Sequence, residues 1–381
     1  MVDILNEEKT MRYLTQTLKT DLKKKAVFLS GPRQVGKSTE AKELVAGEGR
    51  YYNWDIAEDR RSIREQSWPR QVPLVVLDEL HKMPKWKNYL KGVIDDQGNR
   101  PALLITSSAR LETFRKAGDA LTGRSFHYHL HPIDIKESKT FSPLLSAHER
   151  VEHLVQTGGF PESYLQPNDS KRLLIDRLNY VLREDLRDIH NTKYLRVMEI
   201  LLDLLRERVG KGLNYAKLAQ DIGVSAPTIK VWIGLLERLY LIFLVKPYSR
   251  NISQALRKEP RAYFFDCSAA LDDLGARLEN LVACCLLKFC DFQRDVNGRE
   301  MSLHYFRDKD GHEVDFVVTE NRKIIYACEV KASDDNLHNG LYYFSKLVQV
   351  EKSVQLVKDI RRAKEVKGIS IEPLGDWLEK L

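Results

Sequence analysis

Paired cysteines are absent from this chain. The five at positions 267, 284, 285, 290 and 328 show no CxxC spacing and are odd in number, which indicates neither a zinc site nor a disulfide framework. Reduced, packed thiols are expected. Long apolar runs are missing too: none approaches the roughly eighteen residues that span a bilayer, and the opening MVDILNEEKT lacks the apolar stretch of a secretion signal. A soluble, cytoplasmic protein without a membrane partner is expected. Nor is there a large charge imbalance, since 61 Lys and Arg against 54 Asp and Glu leave +7, compatible with a polyanionic partner without demanding one. What the chain does have is length, 381 residues with 43% hydrophobic composition, enough for two or three domains with buried cores.

The strongest pattern is GPRQVGKS, Gly31 to Ser38, which follows the apolar run Ala26 to Ser30 and opens the helix-like STEAKELVA. Strand, glycine-rich turn and helix together read as a phosphate-binding loop, because the glycines let consecutive N–H groups and the positive helix end face phosphates. The expected nucleotide-binding set is Gly31, Pro32, Arg33, Gln34, Val35, Gly36, Lys37, Ser38 and Thr39. Lys37 is expected to reach the β- and γ-phosphates of ATP, and Ser38 to ligate Mg²⁺. Further on, the apolar Leu74 to Leu77 end in Asp78 and Glu79. A carboxylate at the C-terminal end of a buried strand lies where open α/β sheets bind ligands, so Asp78 suits the metal and Glu79 the attacking water. A third buried strand, Ala102 to Arg110, brings Ser107 or Ser108 to the same edge, with Ser108 favoured as a γ-phosphate sensor. Arg50 to Asp55 supplies a further strand, and Arg124, just after Gly123, is a candidate to face a neighbour's nucleotide. Its bland alternative is a surface arginine paired with a carboxylate.

In this order, GPRQVGKS, VVLDELHKMPKW, ITSSAR, LTGR and GGFPES (Gly158 to Ser163) resemble a prokaryotic family that fuses an AAA+ ATPase module to a C-terminal domain of unknown function. The resemblance covers nearly the whole chain. Many relatives carry glycine where this chain has Ser107. The resemblance implies a P-loop parallel sheet with ATP and Mg²⁺ as cofactors, over residues 1–134, and a helical lid over 135–195, to which Arg183 or Arg187 is a candidate phosphate contact. A homo-oligomer is expected, with a hexamer as one candidate.

Residues 196–250 read as helix, helix, tight turn at Gly223 and a third helix opened by Ser225 and Pro227, with IFLVKPY and RAYFFD as a wing: a winged helix. In a DNA-binding version Thr228 and Lys230 lie nearest the bases, while Arg250, Arg257, Lys258 and Arg261 touch phosphates. The apolar character of the third helix fits a protein-facing spacer equally well. Residues 251–381 hold an alternating meander in which Asp315 precedes Glu329-Val330-Lys331 by fourteen positions. Period-two geometry lets Glu329 and Lys331 face Asp315, the D…ExK arrangement of restriction-endonuclease-like α/β domains, with Glu279 on the preceding helix as a fourth member. The family resemblance reaches the EVDF and EVKAS strands here. Carboxylates of this kind hold Mg²⁺ for phosphodiester cleavage, with lysine positioning the nucleophile. The tail from about residue 337 reads as closing helices with a short strand near Ile369. Two functions stay open: an ATPase coupled to DNA binding or remodelling, with or without cleavage by the C-terminal domain, and a nucleotide-controlled switch whose C-terminal half binds a protein partner and cuts nothing.

Overall fold

The computed structural model describes residues 12–45, 47–98, 100–108, 121–185, 192–249, 259–271 and 273–381. The first sheet is built from β1 (Ala26–Ser30), β2 (Arg50–Asn53), β3 (Leu74–Asp78), β4 (Ala102–Ser107) and β5 (Ser125–His129). Its order is β2-β3-β4-β1-β5 with every pairing parallel. β1 and β3 are buried at every position, as the uninterrupted apolar runs require of strands covered on both faces. Helices α1 (Thr15–Asp21), α2 (Lys37–Val45), α3 (Ala57–Glu65) and α4 (Trp86–Gln97) accompany it. Alternation along β1 sends Phe28 to one face, packed with Trp86, Val75 and Leu77, and sends Val27 and Leu29 to the other.

That second face continues into the rest of the chain. Helices α5 (Ile135–Phe141), α6 (Ala147–Thr157), α7 (Pro161–Leu165), α8 (Ser170–Asp185) and α9 (Thr192–Arg206) follow β5. α6 starts on a reciprocal capping box between Ser146 and Glu149. α10 (Tyr215–Ile222) ends at Gly223, φ +80°, and α11 (Ala226–Arg238) starts on the Ser225 side chain, the expected helix-turn-helix spacing. β6 (Ile242–Pro247) and β7 (Arg261–Phe264) pair antiparallel. The long α12 (Leu274–Asn297) precedes β8 (Met301–Arg307), β9 (Glu313–Glu320) and β10 (Lys323–Lys331).

Two features depart from the sequence expectation. The tail contains α13 (Asn339–Leu347) and α14 (Leu374–Glu379), but between them lie β11 (Val350–Val357), β12 (Lys364–Val366) and β13 (Ile369–Pro373) rather than one short strand. Half-buried strands with lysine and glutamate on the outer face resemble solvated helix in sequence. Secondly, β6 pairs with β8, so one sheet of order β12-β13-β11-β10-β9-β8-β6-β7 runs across the expected boundary at 250/251. Among the described residues no helix is long and apolar enough to cross a membrane. The five cysteines are free, four buried and Cys284 half-buried.

The two sheets are joined by buried charge. Arg12 donates through Nε to Glu137 Oε1 at 2.7 Å and through Nη2 to Glu137 Oε2 at 3.1 Å, and Lys288 Nζ on α12 donates to Glu137 Oε2 at 2.8 Å. His129 and His131, at the end of β5, meet Asp295 and Asp291 of α12, each at 2.8 Å. Burial alone would raise the Glu137 pKa, but Arg12 and Lys288 outweigh it and hold the carboxyl down at about 2. A pKa lower in the folded state than in the unfolded one gives stability that is present above the ordinary carboxylate range and lost as the pH falls toward 2. Glu137→Gln leaves buried Arg12 without its carboxylate and Lys288 with Asp134 alone, 3.2 Å away, and is expected to cost about 3–5 kcal/mol. Chemical denaturation at neutral pH checks this, with the deficit shrinking in acid.

Candidate functional site

The loop after β1 has the backbone its sequence demands. Gly31 lies so close to the chain after β5 that a Cβ there would sit 2.3 Å from the Leu130 carbonyl oxygen, and Gln34 and Gly36 take φ of +63° and +99°. Lys37 is buried, and its Nζ donates to the carbonyls of Gly31 at 2.9 Å and Pro32 at 2.6 Å. Arg12 holds the loop from beneath, donating through Nη1 to Val35 O at 2.8 Å.

Asp78 gathers three hydroxyls. Ser38 Oγ donates to Oδ2 at 2.7 Å, the Tyr51 hydroxyl donates to the same oxygen, and the Thr106 hydroxyl donates to Oδ1. Parallel register brings this about, because Asp78 pairs with Thr106 on β4 and with Asn53 on β2, two residues past Tyr51. Burial and then the bond to Asp78 push the Tyr51 phenol up, so it stays a donor. The Ser38 hydroxyl and Asp78 carboxylate form an all-oxygen pair beside the loop, which fits a hard divalent cation.

Glu79 follows in left-handed backbone, φ +56°, and its Oε2 accepts from Ser108 Oγ at 3.0 Å. Ser107 Oγ instead lies 2.9 Å from His81 Nδ1. His81 Nδ1 and Lys82 Nζ each lie 3.7 Å from Glu79 Oε2 as well. Arg124 Nε donates to Asp95 Oδ1 at 2.8 Å on a partly exposed surface. β5 runs parallel to β1 with Ser125 opposite Ala26, so Arg124 sits at the sheet end away from its own loop.

Within and beyond the helical segment expected to cover the loop, sequence reasoning did not name Arg177, Asp266 or Tyr240, which no motif marks. Arg177 on α8 is buried in an ion pair with Asp266 and lies 3.6 Å from the Phe160 ring centroid. Tyr240 donates its hydroxyl to Ser30 Oγ at 3.2 Å, and Arg33 lies over the Tyr180 ring at 5.3 Å. A Cβ on Gly36 would be 3.9 Å from Pro161 Cγ, which puts the GGFPES turn against the loop. Of the two arginines expected near phosphate, Arg183 is exposed on α8, and Arg187 lies outside the described residues.

In the last third, Glu279 on α12, Asp315 on β9 and Glu329 and Lys331 on β10 do come together. Lys331 Nζ donates to Glu329 Oε1 at 2.8 Å, the Asp315 amide donates to Glu329 Oε2 at 3.4 Å, and the Val330 amide donates to Asp315 Oδ2 at 2.9 Å. The Tyr263 hydroxyl donates to Glu279 Oε1 at 2.6 Å. Burial, then the Asp315 charge, push Glu279 and Glu329 up to about 8. The unexpected member is Arg261, which pairs with Glu313 and brings Nη1 to 3.8 Å from Glu279 Oε1 and 4.0 Å from Asp315 Oδ1. Its expected contact with phosphate does not hold, because the side chain is buried in this cluster. Among the described residues no group of three or more His, Cys, Asp or Glu is arranged to hold a metal ion. With Arg261 in place the cluster does not fit a divalent cation.

On α11, Thr228 is half-buried and its hydroxyl lies 2.8 Å from Ser225 Oγ, while Lys230 is exposed. Lys230, Lys246, Arg322 and Lys323 line a cleft of about 1130 Å³ between α11 and the second sheet, with Glu237 and Glu351 as the lining carboxylates. Arg250, Arg257 and Lys258 lie outside the described residues.

Residues 23–139 match the family model described as AAA domain, residues 148–277 that described as Domain of unknown function (DUF8612), and residues 274–376 that described as Domain of unknown function (DUF4143). The chain thus carries a nucleotide-binding AAA ATPase module ahead of a C-terminal domain of unknown function. An uncharacterized protein of Methanocaldococcus jannaschii is 23% identical over 349 residues, covering 80% of this chain and 67% of that one. Among solved structures, NtrX from Brucella abortus in complex with ATP aligns at 15% identity and TM-score 0.28, over 62% of this chain and 69% of that one. A signal transduction ATPase with a tetratricopeptide repeat sensor from Pyrococcus horikoshii aligns at 12% identity and TM-score 0.28, over 73% of this chain and 46% of that one. TM-scores this low carry no weight for the fold or the site.

Lys37→Ala is expected to abolish nucleotide binding, read by a fluorescent ATP analogue. Glu79→Gln is expected to keep binding and lower steady-state hydrolysis by about 10²–10⁴-fold. Ser108→Ala, through its bond to Glu79, lowers hydrolysis more than Ser107→Ala does.

Proposed function

We propose that this protein is an ATP-hydrolysing switch whose nucleotide state is read by its C-terminal half and governs contact with DNA. The observation that carries this is the wall over the phosphate loop: Tyr240 donates to Ser30 at the loop's entry, and the buried Arg177–Asp266 pair lies beside it. Triphosphate entry draws Lys37 from the carbonyls of Gly31 and Pro32 to the phosphates, so the loop and its cover change together. Ser38 and Asp78 hold Mg²⁺, which when bound neutralises phosphate charge. Glu79, oriented by Ser108, aligns and deprotonates the attacking water. Arg124 serves a neighbouring subunit's nucleotide in a homo-oligomer, a hexamer being one candidate. Restored hydrolysis on mixing Arg124→Ala with Lys37→Ala subunits supports this, and no restoration despite subunit exchange rejects it.

The helix-turn-helix of α10 and α11 with the β6/β7 hairpin supports reading 196–250 as a winged helix, and the meeting of Glu279, Asp315, Glu329 and Lys331 supports a restriction-endonuclease-like reading of 251–381. The four cations lining the cleft beside α11 outnumber its two carboxylates, which suits a phosphate backbone. Lys230 stands at its α11 side, and Thr228 lies two residues earlier on the same helix, outside the lining. A protein partner is the second reading, favoured by Val231, 63% exposed beside Lys230.

Fluorescence anisotropy with labelled duplex and single-stranded DNA separates the two. The DNA reading predicts binding that weakens steeply with salt, shifts with ATP in the parent but not in Lys37→Ala, and falls at least tenfold in Lys230→Glu/Arg322→Glu. Absent or salt-independent binding rejects DNA and leaves the protein-partner switch.

A further inference from the structure

The carboxylate cluster of the last third already holds a cation of the chain's own. Arg261 enters from β7, where it pairs with Val245 of β6 and makes an isolated antiparallel bridge to Gly212, so its backbone is fixed on two sides. Its guanidinium lies 4.2 Å from the Tyr305 ring centroid and is 4% exposed. From there it pairs with Glu313 and faces Glu279 and Asp315.

One oxygen of each carboxylate accepts a hydrogen bond from a further partner. Glu279 Oε1 accepts from Tyr263, Asp315 Oδ2 from the Val330 amide, and Glu329 Oε1 from Lys331. Glu279 is also pressed against Gly210, φ +74°, where a Cβ would stand 2.5 Å from Oε1. A larger residue at position 210 would displace that carboxylate.

We propose that the guanidinium of Arg261, rather than a divalent metal ion, is the resident cation of this cluster, so that the C-terminal domain has no metal-dependent cleavage centre. A planar cation that cannot lose its proton suits a buried group of carboxylates: it donates to Glu313 and lies 3.8 Å from Glu279 and 4.0 Å from Asp315. It also braces the wing strand to β9 and α12. Lys331, expected to position a nucleophile, is a partner of Glu329. This inference stands independently of the ATP reading.

The test measures Mn²⁺ binding to the full chain without nucleotide, by electron paramagnetic resonance, in the parent, Asp315→Asn, Arg261→Met and Arg261→Met/Glu329→Gln. The expected result is equal Mn²⁺ binding in the parent and Asp315→Asn, and at least tenfold tighter binding in Arg261→Met that is lost again in the double variant. Tighter binding in the parent than in Asp315→Asn overturns the proposal, as does an Arg261→Met protein with parental circular dichroism and no gain. Should Arg261→Met fail to fold, the comparison of parent with Asp315→Asn decides alone. Incubation of the parent with linear, branched and single-stranded DNA in Mg²⁺ or Mn²⁺ is a second readout, expected to give no product. Cleavage that Asp315→Asn abolishes contradicts the proposal.

Discussion

The bond from Arg12 to the carbonyl of Val35 is where the nucleotide loop and the rest of the molecule meet. The same guanidinium grips Glu137, and Glu137 is gripped in turn by Lys288 of α12. A buried carboxylate between two cations has one low-energy arrangement, since moving any member strands a charge away from water. The loop backbone therefore cannot shift freely without working against α12. Beside it, Asp291 and Asp295 of the same helix hold His131 and His129 at the end of β5.

Such coupling accompanies one core cluster that runs from Val27 and Leu29 of the first sheet through Leu281 of α12 to Phe264 and Val354 of the second sheet. Hydrophobic burial supplies the adhesion, and the ion network fixes the register. Above the loop the Arg177–Asp266 pair and Tyr240 do the same from the other side. The phosphate loop is thus clasped by residues far away in sequence.

Sequence distance decided what was legible beforehand. The loop, the strand ending in Asp78 and Glu79, and the Ser225 cap of α11 are local patterns, and each stands where its pattern implied. The meeting of Asp315 with Glu329 was legible as well, because a two-strand meander carries its own register. Arg261 resembles a phosphate contact in sequence, since its charge is visible there but Glu313, 52 positions away, is not identifiable as its partner. Arg12 drew no attention for the same reason, with Glu137 lying 125 positions on. The tail shows only one short strand in sequence, near Ile369, because β11 exposes glutamate and lysine, which are equally at home on a helix surface.

The claim at the centre is that the occupied loop changes the state of the C-terminal half through these contacts. Hydrogen exchange across the full chain, with and without a non-hydrolysable ATP analogue, tests it most directly in the parent and Lys37→Ala. The account predicts altered exchange in residues 274–297 and 170–185 as well as around the loop, in the parent only. Changes confined to residues 26–108 in the parent, with 274–297 untouched, would contradict it.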